Sequence, residues 1–123
     1  MTFPTEWPDG CPPDAAGSAG GTVFRLVKAN PCCDSDFLSH LEVGKMPDAP
    51  ACLRCGLSVF GDDSDAAHMA RKYPKIGHLI ARGELSEAHG RAMLTTGQRP
   101  THTTWWPYAE VIRKDLFEVV REA

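Results

Sequence analysis

The chain has no hydrophobic run that could cross a bilayer, no basic excess and no export signal at its start. No segment approaches the ~18 apolar residues of a membrane span, so no membrane partner is predicted. The net charge of −3 argues against a general binder of nucleic-acid backbones, which needs clustered positive charge. The first eight residues lack a basic start followed by an apolar stretch, so no secretory signal is expected.

Several common catalytic signatures are also absent. There is no Gly-x-Ser-x-Gly nucleophile elbow, no phosphate-binding Gly-x-x-x-x-Gly-Lys loop, no Gly-x-Gly-x-x-Gly after a strand and no His-Glu-x-x-His zinc motif. The five cysteines are an odd number, and without an export signal they favour reduced thiols and a cytoplasmic location. Any catalytic or binding function must therefore be inferred from individual residues and not from a known motif.

Composition divides the chain into two parts. Residues 1–21 hold four of the ten prolines and four of the eleven glycines, which predicts a flexible tail that buries little. Residues 22–123 have the patterning of a single α+β domain with a mainly antiparallel sheet and two short helices. Strands are not regularly alternated with helices, so a doubly wound parallel sheet is not expected.

The element pattern within the domain is short and varied. Strands are expected at residues 22–28, 56–60, 76–82, 91–96 and 103–106, and helices at residues 34–43 and 65–73. Pro74 ends the second helix, and Gly44 can end the first. Residues 109–123 fit a helix and a final strand equally well.

The pair Cys52-x-x-Cys55-Gly56 has the spacing of a zinc knuckle, because two thiolates two residues apart can chelate one ion from a tight turn. A structural zinc needs two further ligands. The candidates are Cys32, Cys33, His40 and His102. The alternative is that these cysteines are free buried thiols.

Two other features suggest a site. Arg25 lies between Val23 and Val27 on one strand face, either exposed at a sheet edge or held in a cleft to bind an anion. His102 lies three residues before Trp105, where an imidazole could act as an acid, a base or a hydrogen-bond donor. If the segment is extended, Trp105 and Trp106 point to opposite faces, so one can fill the core while the other stacks on a planar ligand.

The order of these elements resembles small members of the ADP-ribosyltransferase-like fold. The segments that carry the resemblance are Phe24-Arg25-Leu26-Val27, Leu57-Ser58-Val59-Phe60, Ala66-Ala67 and residues 80–85. The resemblance implies NAD as the ligand, with Arg25 on its phosphates and Ser58 with an aromatic, Phe60 or Trp105, at the nicotinamide. Glu118 is the nearest match to the family's catalytic glutamate, and His102 would be a second catalytic candidate outside the family's pattern.

Two functions outside transferase chemistry remain open. The chain could be an NAD-derived ligand binder without turnover. It could also be a protein-interaction module, built either on a zinc knuckle at Cys52 and Cys55 or on an exposed tryptophan surface. The ligand binder predicts a small-molecule ligand, and the interaction module predicts a protein partner. All enzymatic interpretations require Arg25, Ser58 and His102 to converge on one pocket, with the guanidinium and the imidazole facing each other across it.

Overall fold

A computed structural model describes all 123 residues and contains one seven-stranded sheet in which every neighbouring pair is antiparallel. The strands are β1 (Gly17–Ser18), β2 (Gly21–Val27), β3 (Leu57–Phe60), β4 (Leu79–Leu85), β5 (Gly90–Leu94), β6 (His102–Pro107) and β7 (Phe117–Glu122). Their order across the sheet is β1-β5-β6-β3-β2-β4-β7. The helices are α1 (His40–Val43), α2 (Ala51–Cys55) and α3 (Asp63–Lys72). Single 3-10 turns lie at Asp34–Phe37, Glu87–His89 and Arg113–Leu116.

This architecture confirms the predicted α+β class with an antiparallel sheet. The residues 109–123 that fitted either element form a 3-10 turn followed by β7. Helix α3 has the terminal residues that its sequence predicts. Asp62 is its N-cap, acidic residues lie in its first turn, and Arg71 and Lys72 lie in its last turn. Helix α1 ends at Gly44, whose φ of 70° is the left-handed conformation that glycine adopts most readily.

Side chains alternate between the two faces of the sheet and bury a core on each. One face carries Val23, Val59 and Trp105, which pack with Phe37 of the first 3-10 turn. The opposite face carries Leu26 and Phe60 beneath the alanines of α3. The strands position the candidate catalytic and ligand-binding residues, whereas Cys52 and Cys55 lie on α2.

The first 21 residues lie on the domain, in contrast to the expectation of a leader that buries little. Trp7, Ala16 and Ala19 are buried, and β1 pairs with β5 at the sheet edge. Trp7 and Ala16 pack with Cys55 and Trp106 in a third apolar cluster. The segment therefore supplies the cover for one end of β6.

A disulfide joins Cys11 to Cys52, with Cα atoms 5.5 Å apart and a sequence separation of 41. The prediction that all five thiols are reduced is corrected by this bond, and only Cys32, Cys33 and Cys55 are free. The disulfide ties the N-terminal segment to α2. None of the helices has the length and apolar character needed to cross a bilayer.

Candidate functional site

The candidate site begins where β2 and β3 separate. The two strands share one register pair, Phe24 with Phe60, whereas β2 pairs with β4 along its whole length. Beyond that pair, the carbonyl of Ser58 takes its hydrogen bond from a side chain: Nη1 of Arg25 donates to it at 2.8 Å. Nε of Arg25 donates to the carbonyl of Asp36 at 2.9 Å. The guanidinium thus occupies the opening in the sheet and satisfies backbone acceptors there.

The hydroxyl of Ser58 is held by His102. Its Oγ lies 2.9 Å from Nε2 of the imidazole, and the Ser58 residue is exposed. On the other side of the ring, Nδ1 lies 2.8 Å from the carbonyl oxygen of Thr95 and 3.0 Å from its Oγ1. A carbonyl oxygen can only accept, so Nδ1 carries the proton and Nε2 of the neutral ring is an acceptor. Ser58 therefore donates to His102.

Neighbouring side chains fix the imidazole. Phe60 packs against it edge-on, with ring centroids 5.4 Å apart. Oγ1 of Thr95 also lies 2.8 Å from Oγ1 of the buried Thr104, the residue opposite Ser58 in the β3–β6 ladder. Paired strands on both sides make this a rigid arrangement, because a residue in a ladder has little backbone freedom.

Arg25 and His102 each contact Ser58, but they lie on opposite faces of the sheet, in contrast to the expectation that they share one pocket. The guanidinium shares its sheet face with Val23 and Val27 and lies over the Phe37 ring, 5.5 Å from its centroid. The Ser58 hydroxyl and the imidazole lie on the face of Phe60. The sheet thus brings guanidinium and imidazole to the carbonyl and the hydroxyl of one residue, from opposite faces.

Charges of both signs lie near Arg25. Arg25 forms no ion pair, since the four ion pairs of the chain involve Arg82, Arg99, Arg113 and Arg121. Burial lowers the pKa of Arg25 to about 10; nearby Asp36 opposes that shift and Arg113 adds to it. The carboxylate of Asp36 accepts instead from the backbone N–H groups of Lys28 and Cys33. Arg25 is therefore a charged group at neutral pH without a dedicated counter-ion.

His40, at the start of α1, lies near the same group of charges. Its pKa is lowered first by burial and then by Lys45, Arg25 and Arg54. These three cations disfavour the protonated imidazole of His40. The positions of His40 and Thr95 at the site were not predicted from the sequence, since their proximity depends on long-range packing.

A buried carboxylate fixes the start of β6 beside the site. Asp65 of α3 is 3% exposed and accepts from Nε of Arg99 at 2.8 Å, from the N–H of Thr101 at 3.1 Å and from its Oγ1 at 2.5 Å. The hydrogen bond from the Thr101 hydroxyl is the largest cause of a lowered pKa of Asp65, ahead of the opposing effect of burial. This contact attaches α3 to the residue before His102.

Replacing Asp65 with Asn should cost about 2 kcal/mol of unfolding free energy at neutral pH, since hydrogen bonds to a charged group are lost. A carboxyl group whose pKa is lowered on folding stabilises the protein above its unfolded pKa of about 3.9, and that contribution disappears as the pH falls through the lower folded value. Denaturant unfolding from pH 7 to 2 should therefore show the difference between wild type and Asp65→Asn shrinking below about pH 4. A difference that stays constant would contradict the contact.

Glu118 does not reach the site. It lies on β7, is exposed, and pairs with Arg82 at 3.3 Å. The register places His102, Phe60, Phe24, Arg82 and Glu118 in one row across the sheet. Four strand spacings of about 4.8 Å separate the ends of that row by roughly 19 Å. The structure therefore leaves the proposed catalytic pair of His102 and Glu118 apart.

The tryptophans lie in the core. Trp105 and Trp106 are both 0% exposed, and their indole N–H groups donate to the carbonyls of His89 and Cys52. The two rings do lie in different clusters, but both faces of β6 are covered at this point, one of them by the N-terminal segment and α2. In contrast to the sequence-based expectation, neither indole is presented for stacking on a ligand or for contact with a partner.

The zinc prediction is wrong. No group of three or more His, Cys, Asp or Glu side chains in the chain could hold a metal ion. Cys52 is in the disulfide, and Cys55 is buried at the end of α2 with its thiol on the carbonyl of Ala51. The Cys-x-x-Cys pair lies on a helix and not in a knuckle turn, so its two sulfurs have separate structural roles.

Comparison with known proteins provides no further assignment. No family model matches the chain, and neither a curated protein nor a solved structure matches it.

Proposed function

We propose that the protein binds a phosphate-bearing nucleotide of the NAD-derived class, with ADP-ribose as its simplest form, at the opening between β2 and β3. The observation that carries this proposal is the half-buried guanidinium of Arg25, which has no carboxylate partner. Two backbone carbonyls accept hydrogen bonds from this partly desolvated charge, but no opposite charge lies within ion-pair distance to neutralise it. An anion at this position would do so.

The chemistry of the opening suits a phosphate. Two of the three guanidinium nitrogens of Arg25 are fixed on carbonyls, while Nη2 makes no hydrogen bond within the chain. A planar guanidinium fixed in this way is well suited to phosphate oxygens. The hydroxyl of Ser58 lies on the opposite face of the sheet, so Ser58 contributes to this opening only through the backbone carbonyl that Arg25 contacts.

The resemblance to the ADP-ribosyltransferase-like fold would add transfer of ADP-ribose, and the geometry favours binding over that transfer. An NAD-using transferase of this type needs a carboxylate at the reacting sugar, and Glu118 lies across the sheet in an ion pair with Arg82. The function proposed here is accordingly recognition of the ligand. The cytoplasmic location favoured by the sequence stays a prediction, and in a reducing cytoplasm Cys11 and Cys52 would be held as thiols.

Calorimetric titration with ADP-ribose tests the proposal. Wild type should bind, and Arg25→Lys should bind about 10- to 100-fold more weakly, because a charge-assisted hydrogen bond to phosphate contributes ~1.5–3 kcal/mol. Arg82→Lys is the matched control, since Arg82 is an exposed strand arginine already paired with Glu118. Glu118→Gln should leave affinity unchanged. No binding by wild type at millimolar ADP-ribose, or equal affinity in Arg25→Lys, would overturn the proposal.

A further inference from the structure

The geometry points to a second property, on the sheet face opposite the guanidinium of Arg25: we infer that Ser58 is an activated nucleophile that attacks acyl or phosphoryl electrophiles, with His102 as its general base. The inference does not require the nucleotide proposed above, because it rests on the hydroxyl and the imidazole and not on the guanidinium. Two hydrogen bonds of His102 and the exposure of Ser58 carry it.

The position of the proton on the His102 ring makes Nε2 the acceptor for the Ser58 hydroxyl. Nδ1 of His102 donates to the carbonyl of Thr95 at 2.8 Å, so the ring presents the lone pair of Nε2 to Ser58 Oγ at 2.9 Å. This is the orientation in which an imidazole can remove a hydroxyl proton as the oxygen attacks. A backbone carbonyl thus orients the base, a role that a carboxylate often has in serine nucleophile sites.

The Ser58 hydroxyl is accessible to a substrate, and both Ser58 and His102 are held on rigid strands. Ser58 is exposed, while His102 is half-buried against Phe60. Both residues are in paired strands, and Thr95 follows directly after β5, beside β6. A side chain held on rigid strands keeps nucleophile and base within reach without reorganisation at the moment of reaction. The solvent-facing hydroxyl can meet an electrophile that the buried imidazole cannot reach directly.

The reaction can be written for an ester. Oγ of Ser58 bonds to the acyl carbon as the hydroxyl proton moves to Nε2, and the imidazolium then gives that proton to the leaving alkoxide. The products of this half are an acyl-serine and an alcohol. Water, deprotonated by Nε2, attacks the acyl carbon in the second half and releases the carboxylic acid with Ser58 restored. With a fluorophosphonate, Oγ bonds to phosphorus, fluoride leaves with the proton, and the phosphonyl-serine is stable.

Labelling with a fluorophosphonate probe tests the inference. The folded protein should gain one phosphonyl group, located on Ser58 by peptide mapping, and heat-denatured protein should gain none. Both His102→Asn and His102→Gln should slow labelling by about 100-fold or more, the usual contribution of a general base. Two different replacements, with melting curves for each, separate loss of the base from loss of the fold.

Ser86→Ala provides the matched control. Ser86 is exposed, as Ser58 is, and it also lies near a histidine, His89. However, the Ser86 hydroxyl accepts a hydrogen bond from the N–H of Ala88 and does not donate to an imidazole. That variant should be labelled at the wild-type rate. Absence of label on Ser58 in the folded wild type, or equal labelling rates in wild type and in folded His102 variants, would overturn the inference. Labelling of Ser58 in a protein that binds no ADP-ribose would overturn the nucleotide proposal alone.

Discussion

Removing the disulfide between Cys11 and Cys52 should lower the free energy of unfolding by about 4 kcal/mol. The bond closes a loop with a sequence separation of 41 residues, and the loop-closure entropy removed from the unfolded chain by a loop of that length corresponds to about 4 kcal/mol at 25 °C. A domain of this size has a total stability of about 5–15 kcal/mol, so reduction should remove a large part of it. Denaturant unfolding with and without a reductant measures the difference.

The double variant Cys11→Ser/Cys52→Ser supplies the control for that measurement. It should unfold at the midpoint of the reduced wild type, and the reductant should have no further effect on it. Cys32→Ser removes a free, half-buried thiol and should leave the response to reductant intact. Identical unfolding midpoints for oxidised and reduced wild type would show that the N-terminal segment is held by its packing alone.

Trp105→Ala should destabilise the protein by about 3–5 kcal/mol, the usual loss when a large aromatic side chain is removed from a core. Trp105 is 0% exposed, packs 5.9 Å from the ring of Phe117 and donates its indole N–H to the carbonyl of His89 at 3.0 Å. The variant would leave a cavity and an unsatisfied carbonyl at the centre of the first core. Thermal and denaturant unfolding both report this loss.

Trp105→Phe is the graded control, because it keeps an aromatic ring and loses the indole hydrogen bond, which contributes about 1 kcal/mol. Its loss of stability should be clearly smaller than that of Trp105→Ala. An exposed indole used for ligand stacking would give a different pattern: replacement would change stability by less than about 0.5 kcal/mol while weakening ligand binding. That pattern would contradict the buried position of Trp105.

Local patterns in the sequence were sufficient for most of the sheet. The apolar runs that form β2, β3 and β6 and the capped run that forms α3 were each predicted close to their observed bounds, because strand propensity and helix capping act over a few neighbouring residues. Helix α2 was missed, since the Cys-x-x-Cys spacing within it also fits a metal-binding turn. Local spacing does not distinguish those two structures.

The long-range features could not be predicted in the same way. The pairing of Cys11 with Cys52 depends on how the N-terminal segment folds back, and connectivity does not follow from cysteine positions alone. The aromatic residues Phe3 and Trp7 in a leader otherwise rich in Pro and Gly were an available signal that this segment packs on the domain. The distance of Glu118 from His102 was set by strand order, which places β7 at the far edge.

The enzymatic interpretations required Arg25, Ser58 and His102 to converge on one pocket, and the structure does not meet that condition. The sequence suggested a guanidinium and an imidazole facing one hollow. They approach Ser58 from opposite faces of the sheet instead, because strand alternation separates Arg25 from Ser58 and a split ladder lets the guanidinium reach the Ser58 carbonyl. Sequence alternation alone could have excluded a shared face, but not this contact through the backbone.

The most direct measurement of the proposed site is an NMR titration of the uniformly ¹⁵N-labelled protein with ADP-ribose. Binding at the opening should shift the Nε–H resonance of Arg25, the backbone amide of Ser58 and the resonances of His102, with an unchanged amide at Glu118. A spectrum that does not change at millimolar ADP-ribose, or changes confined to β4 and β7, would contradict the assignment of the site to Arg25 and Ser58.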